Sequence, residues 1–144
     1  MKSTESTPEE IIANPEIDAF VVAIYENTRP FRGLAFKLDW RFRGVISDYY
    51  QKGMIKGEAG ECTLIPIVRG ESTDQKSYKL ILVGAGKFNE SQTEMRLPVR
   101  SIEMLKKNIL KLGIQNLGVS KSDLGASLQD IVQSTKGVEV WVTP

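Results

Sequence analysis

Leu80-Ile81-Leu82-Val83-Gly84-Ala85-Gly86-Lys87, LILVGAGK, is the stretch on which the reading of the chain turns. Its apolar start reads as a buried strand, and Gly84 to Lys87 form a glycine turn leading toward a long helical segment. Such a turn is either a cradle for a phosphate or the bend by which the chain leaves a sheet. A Walker A loop needs a glycine five residues before Gly86 and a hydroxyl residue after Lys87, but this chain has Ile81 and Phe88 there. A dinucleotide fingerprint needs a third glycine at position 89, which is Asn89. There remain two glycines that permit tight turns and an anion's approach to N–H groups, with Lys87 beside them as a point charge. Gly84, Ala85, Gly86 and Lys87 are therefore the candidate ligand-binding residues.

Upstream of this strand, CTLIPIV and YKLILVG flank the polar loop RGESTDQKS, which predicts an antiparallel hairpin with Pro66 on an edge or at a bulge. The segment GLAFKLDWRFRGVISDYYQKG carries Leu34, Leu38, Phe42, Val45 and Tyr49 at helical spacing, bent near Gly44. Before it, AFVVAIY from Ala19 suits a strand covered on both faces. Thr7-Pro8-Glu9-Glu10 offers a helix start with a hydroxyl cap and proline at the first position, and Pro15 limits that helix to a turn or two.

Downstream, Pro98 to Leu112 is helical, with Val99, Ile102, Leu105, Ile109 and Leu112 in one stripe, Arg100, Lys106, Lys107 and Lys111 on the other face, and Gly113 as the stop. IQNLGVS is a strand and SDLGASLQDIVQST an amphipathic helix with Leu124, Leu128, Ile131 and Val132 inward, ended by Gly137. The closing VEVWVT alternates, with Val138, Val140 and Val142 on one side and Glu139, Trp141 and Thr143 on the other. The order predicts an α/β fold, one mixed sheet flanked by helices. No repeat or linker divides its 144 residues, so residues 17–144 form one domain behind a polar, partly mobile segment 1–16.

Composition narrows the chemistry. The formal charge of +1 provides no field that selects nucleic acid or an anionic membrane. The absence of histidine removes the commonest general base and zinc ligand. Cys62, the only cysteine, lies in an apolar run and reads as a buried thiol, not as part of a disulfide or metal site. The polar, acidic start lacks a secretory core, and no stretch approaches the roughly twenty apolar residues of a membrane span, so a soluble, cytoplasmic protein is expected. FRGLAFKLDWRFR mixes aromatics with Arg32, Lys37, Arg41 and Arg43. Single-stranded nucleic acid could stack there, but Phe42 is better placed in the core; Phe31, Trp40 and Trp141 are the candidate interface residues. Asp39 and Asp48 lack any partner spaced to fix a catalytic dyad and read as caps or surface ion pairs.

Two landmarks in order carry a resemblance. Leu38-Asp39 and Gly44 precede Met54-Ile55-Lys56-Gly57-Glu58-Ala59-Gly60-Glu61, and Val83-Gly84-Ala85-Gly86-Lys87 follows. The stretch from Asp18 to Gly137 thus resembles the amino-terminal domain of the leucyl, or cytosol, aminopeptidase family, which implies a macro-domain-like three-layer fold. In that family the two metals and the catalytic residues belong to a carboxy-terminal domain whose motifs have no counterpart here, and VEVWVTP departs from the family's aromatic, basic linker helix. The resemblance implies a non-catalytic relative without metal or cofactor, acting through a protein partner or as a homo-oligomer. The alternative is a macro-type module that binds a nucleotide or ADP-ribose-like ligand at Gly84 to Lys87. An open cleft beside that turn favours the ligand module, and an exposed apolar patch elsewhere favours association.

Overall fold

The computed structural model describes residues 6–28, 31–68, 77–89, 91 and 96–144; residues 1–5 of the expected mobile start and 69–76 of the expected polar loop lie outside them. The elements are α1 (Pro8–Ala13), β1 (Ala19–Tyr25), α2 (Gly33–Arg41), α3 (Val45–Gln51), β2 (Cys62–Val68), β3 (Ser77–Gly86), α4 (Val99–Lys111), β4 (Asn116–Ser120), α5 (Lys121–Leu124), α6 (Ser127–Ser134) and β5 (Glu139–Thr143). The strands form one sheet in the order β2-β3-β1-β4-β5, with β2 and β3 antiparallel and the other neighbours parallel.

The alternation of β1 divides the core. Ala19, Val21 and Ala23 face a cluster with Ile81, Val83, Leu124, Ile131 and the α4 residues Ile102, Leu105 and Ile109. Phe20, Val22 and Ile24 face the other way, onto Ile11 of α1, Leu34 and Leu38 of α2 and Ile46 of α3. Each fully buried aliphatic or aromatic side chain contributes about 1.5 to 3 kcal/mol. A central strand with two covered faces therefore holds both helical layers, as its unbroken apolar run predicts. The fold is the expected α/β three-layer arrangement.

Pro66 lies in edge strand β2, opposite Lys79, and Gly113 (φ +64) follows α4. Thr7 Oγ1 accepts from Glu10 N at 3.2 Å, and this cap starts α1.

Local geometry departs from the expected elements at three places. The bent helix is two helices, because Arg43 (φ +56) and Gly44 (φ +79) adopt left-handed backbone between them. Asp39 holds the second start: Oδ1 accepts from Ile46 N at 2.8 Å and Ser47 N at 3.0 Å, and Oδ2 from Ser47 Oγ at 2.5 Å. The helix expected over Ser122 to Thr135 is likewise broken, at Gly125 (φ +51, ψ −129). Val99, placed by its spacing in the apolar stripe of α4, is 68% exposed, although Ser101 and Ile102 of the same turn are buried.

Asp39→Ala should lower stability by about 1 to 2 kcal/mol, read from urea unfolding midpoints, because it uncaps α3. Asp39→Asn keeps an acceptor for the two amides and should recover most of that loss.

Candidate functional site

Gly84 and Ala85 lie within β3, and the strand runs on to Gly86. A Cβ on Gly84 would sit 1.8 Å from Glu58 O, and one on Gly57 would sit 2.7 to 2.8 Å from the main chain of Ile24, Tyr25 and Glu26. Both glycines serve close packing of backbone on backbone. Gly84 N donates to Glu61 O and Gly86 N to Gly57 O, each at 2.8 Å. Glu61 turns its carboxylate back onto the amides of Lys56 (2.9 Å) and Gly57 (3.1 Å). From α4, buried Ser101 donates to Gly84 O at 2.6 Å and accepts from Gly60 N at 2.8 Å. The two glycine landmarks of the sequence are thus two halves of one clasp. The amides of Gly84 and Gly86 are spent on it, Ala85 is buried, and Lys87 is exposed.

A different arrangement arises where β1 and β4 part. They pair only at Ala19 with Leu117 and Phe20 with Gly118, although β1 continues to Tyr25. The chain leaves β1 for α2 on one face of the sheet, and leaves β4 for α5 and α6 on the other. That is a topological switch point, where open α/β sheets form a crevice at the carboxyl ends of their strands.

Asp123 of α5 fills the gap. It is 5% exposed, and its Oδ2 accepts from Ala23 N of β1 at 3.4 Å. Burial pushes its carboxyl up to about 7, opposed only in part by that amide. The start of α2 closes over it at Gly33 (φ +57), where a Cβ would stand 3.1 Å from Asp123 Oδ1. Next to it, the Tyr25 hydroxyl is raised by burial and then by the Asp123 charge, while Arg32 acts in the opposite direction.

The rim is cationic. Arg32 stacks its guanidinium 4.3 Å from the Phe88 ring centroid, and Tyr25 meets the same ring edge-on at 5.2 Å. Phe88 is held by its amide, which donates to Asn27 Oδ1 at 2.7 Å. Arg32, Lys87, Arg96 and Lys121 are all exposed and follow the carboxyl ends of β1, β3 and β4. Among the described residues of these connections only Glu26 and Asp123 are acidic, and Asp123 is buried. Lys87 is thus the one member of the expected GAGK set with an exposed charge at this edge. Asp123 escaped the sequence reading because its helical spacing hid it; the available signal was an acid in Ser122-Asp123-Leu124-Gly125 immediately after a strand.

The three expected interface aromatics separate. Phe31 is buried, edge-on to Tyr50 at 5.9 Å, so it has no surface to offer; it fastens the loop before α2 to the core. Trp141 is half-buried and donates from Nε1 to Asn116 Oδ1 at 3.4 Å. Trp40 alone stands out, 83% exposed. Cys62 is half-buried, its thiol pushed up by burial. Among the described residues no three His, Cys, Asp or Glu side chains group to hold a metal, and no helix is long and apolar enough to cross a membrane.

By sequence the chain matches no protein-family model and no curated protein. By structure it is similar to the macrodomain of Thermus aquaticus DarG, at a TM-score of 0.62 and 16% identity over 93% of each chain. It is also similar to Thermosipho africanus DarTG in complex with ADP-ribose, at a TM-score of 0.58 and 16% identity over 90% of this chain and 38% of that one. A tomato leucine aminopeptidase is matched at a TM-score of 0.59 and 13% identity, over 98% of this chain and 31% of the enzyme. The fold is that of a macrodomain. The likeness to the aminopeptidase is one of structure.

Gly84→Ala should cost about 3 kcal/mol or more, because main chain blocks the methyl group, whereas Gly44→Ala, with open space at φ +79, should cost roughly 1 to 2 kcal/mol; urea midpoints separate the two. Asp123 supplies the pH signature. Its folded value near 7 lies above the ordinary 3.8, so its contribution is full below about pH 4 and is lost as pH rises through 7. Across that window the wild type should lose up to about 1.4 kcal/mol per pH unit relative to Asp123→Asn, and the variant should be the more stable at pH 8 in urea titrations.

Proposed function

We propose that this chain is a macro-type module that binds an ADP-ribose-like nucleotide at the carboxyl edge of β1, β3 and β4, without turning it over. The observation that carries this reading is the set of exposed cations, Arg32, Lys87, Arg96 and Lys121, on the connections that leave the carboxyl ends of β1, β3 and β4 at the switch point of a macrodomain fold. A diphosphate spreads its negative charge between two sugars, and guanidinium and ammonium groups on separate loops match that spread. The structural likeness to a DarTG complexed with ADP-ribose supports the choice of ligand. Lys87 enters as a charge, while the amides of Gly84 and Gly86 serve the clasp.

Binding without turnover is supported by the absence of histidine and by the position of Asp123, whose carboxylate faces a main-chain amide. Calorimetric titration with ADP-ribose, ATP and NAD is the test. Saturable heat with ADP-ribose is expected, weakened at least tenfold by Arg32→Glu, with the nucleotide recovered intact by chromatography. No heat from folded protein, or equal heat from the variant, refutes the site; a cleaved nucleotide refutes the claim that there is no turnover.

A further inference from the structure

Away from the nucleotide crevice, α2 carries its own exposed surface. Seven residues separate Gly33 at the crevice from Trp40, roughly 10 Å along the helix axis. Phe36 and Trp40, one turn apart, are 50% and 83% exposed. A groove of about 480 Å³ between α1 and α2 is lined by Ile12, Ala13, Phe36 and Trp40 together with Lys37 and Arg41. On the opposite flank of Trp40 a second hollow of about 340 Å³ is bounded by Phe36, Asp39, Arg43 and Gly44. The indole therefore stands as a ridge between two depressions. A tryptophan buries on the order of 200 Å² when covered, so an uncovered one beside a second exposed ring is a large unused contact.

Charge selects the occupant. Glu9 is tied to Lys37 at 2.6 Å, and that hydrogen bond holds its carboxyl below the ordinary value. Asp39, the acid of the second hollow, is taken up by the start of α3. Arg41 and Arg43 are exposed, one at each depression, and neither guanidinium has a hydrogen-bond or ion-pair partner among the described residues. The surface thus combines an apolar floor with two uncompensated guanidinium groups.

We infer that this double groove docks an acidic segment of a partner protein, which seats one apolar side chain on each flank of Trp40 and sets its carboxylates against Arg41 and Arg43. The planar fork of arginine suits carboxylates, and the aromatic ridge supplies the anchor. This docking is independent of nucleotide binding.

A displayed library of random peptides of about 12 residues, selected on the wild-type protein against Trp40→Ala, tests the inference. The expected result is enrichment of peptides with two apolar residues three or four apart among Asp and Glu. Their binding, read by fluorescence anisotropy, should weaken at least tenfold in Trp40→Ala and in Arg41→Glu/Arg43→Glu. Both variants alter exposed side chains and should melt with the wild type; Trp40→Phe, which keeps a ring, should retain most of the affinity. Raising salt from about 0.05 to 0.5 M should also weaken binding. No enrichment over Trp40→Ala, or a basic or neutral consensus, overturns the inference. So does Trp40-dependent self-association, or Trp40-dependent binding of oligothymidylate in preference to the peptides, since each assigns the groove another occupant.

Discussion

The contact between the carbonyl of Glu58 and the bare α-carbon of Gly84 is the constraint on which the other elements depend. It lets the Gly57 to Glu61 segment lie flat across the ends of β1 and β3, and Gly84 N then takes Glu61 O. That bond places Cys62 opposite Val83, and the rest of the β2 and β3 ladder follows from it. Because side chains alternate along a strand, a slip by one residue would turn Ile65 and Ile67 out of the core. Ser101 extends the same contact to α4, so one patch of backbone joins that helix to the sheet.

Much of this was legible in the sequence, for definable reasons. The unbroken apolar run of β1 announced a strand with two covered faces, and the two apolar runs around a polar loop announced the antiparallel pair. The glycine-spaced landmarks were visible as motifs, but that they bind each other depends on contact across residues far apart in the chain. Helix breaks were harder to see, because apolar periodicity continues through Arg43 and Gly125 while the backbone does not. Phe31 was misplaced because an aromatic beside arginines looks the same in sequence whether it points in or out. Asp123 became recognisable only when strand order showed β1 and β4 diverging around it.

The two ends of α2 have different surroundings. Its first residue is a glycine at φ +57, where a Cβ would also crowd the buried Asp123 carboxyl, and its last turn exposes an indole between two hollows. At 13% to 16% identity to the similar structures, what is shared is the fold, and the particular chemistry lies in the local residues. One such local residue is Asp123, whose carboxyl burial pushes up to about 7 where it sits against the start of α2.

Pro66 has a consequence for how copies of this molecule meet. The bond from Gly84 N to Glu61 O fixes the phase of β2, so Glu61, Thr63, Ile65 and Ile67 turn their peptide groups toward β3. Cys62, Leu64 and Pro66 turn theirs toward the outer margin of the sheet. Proline has no N–H, so this margin lacks a donor at the very place where an incoming strand would need one. The β2 edge of the sheet thereby carries a guard against pairing with another strand, built from one missing hydrogen atom.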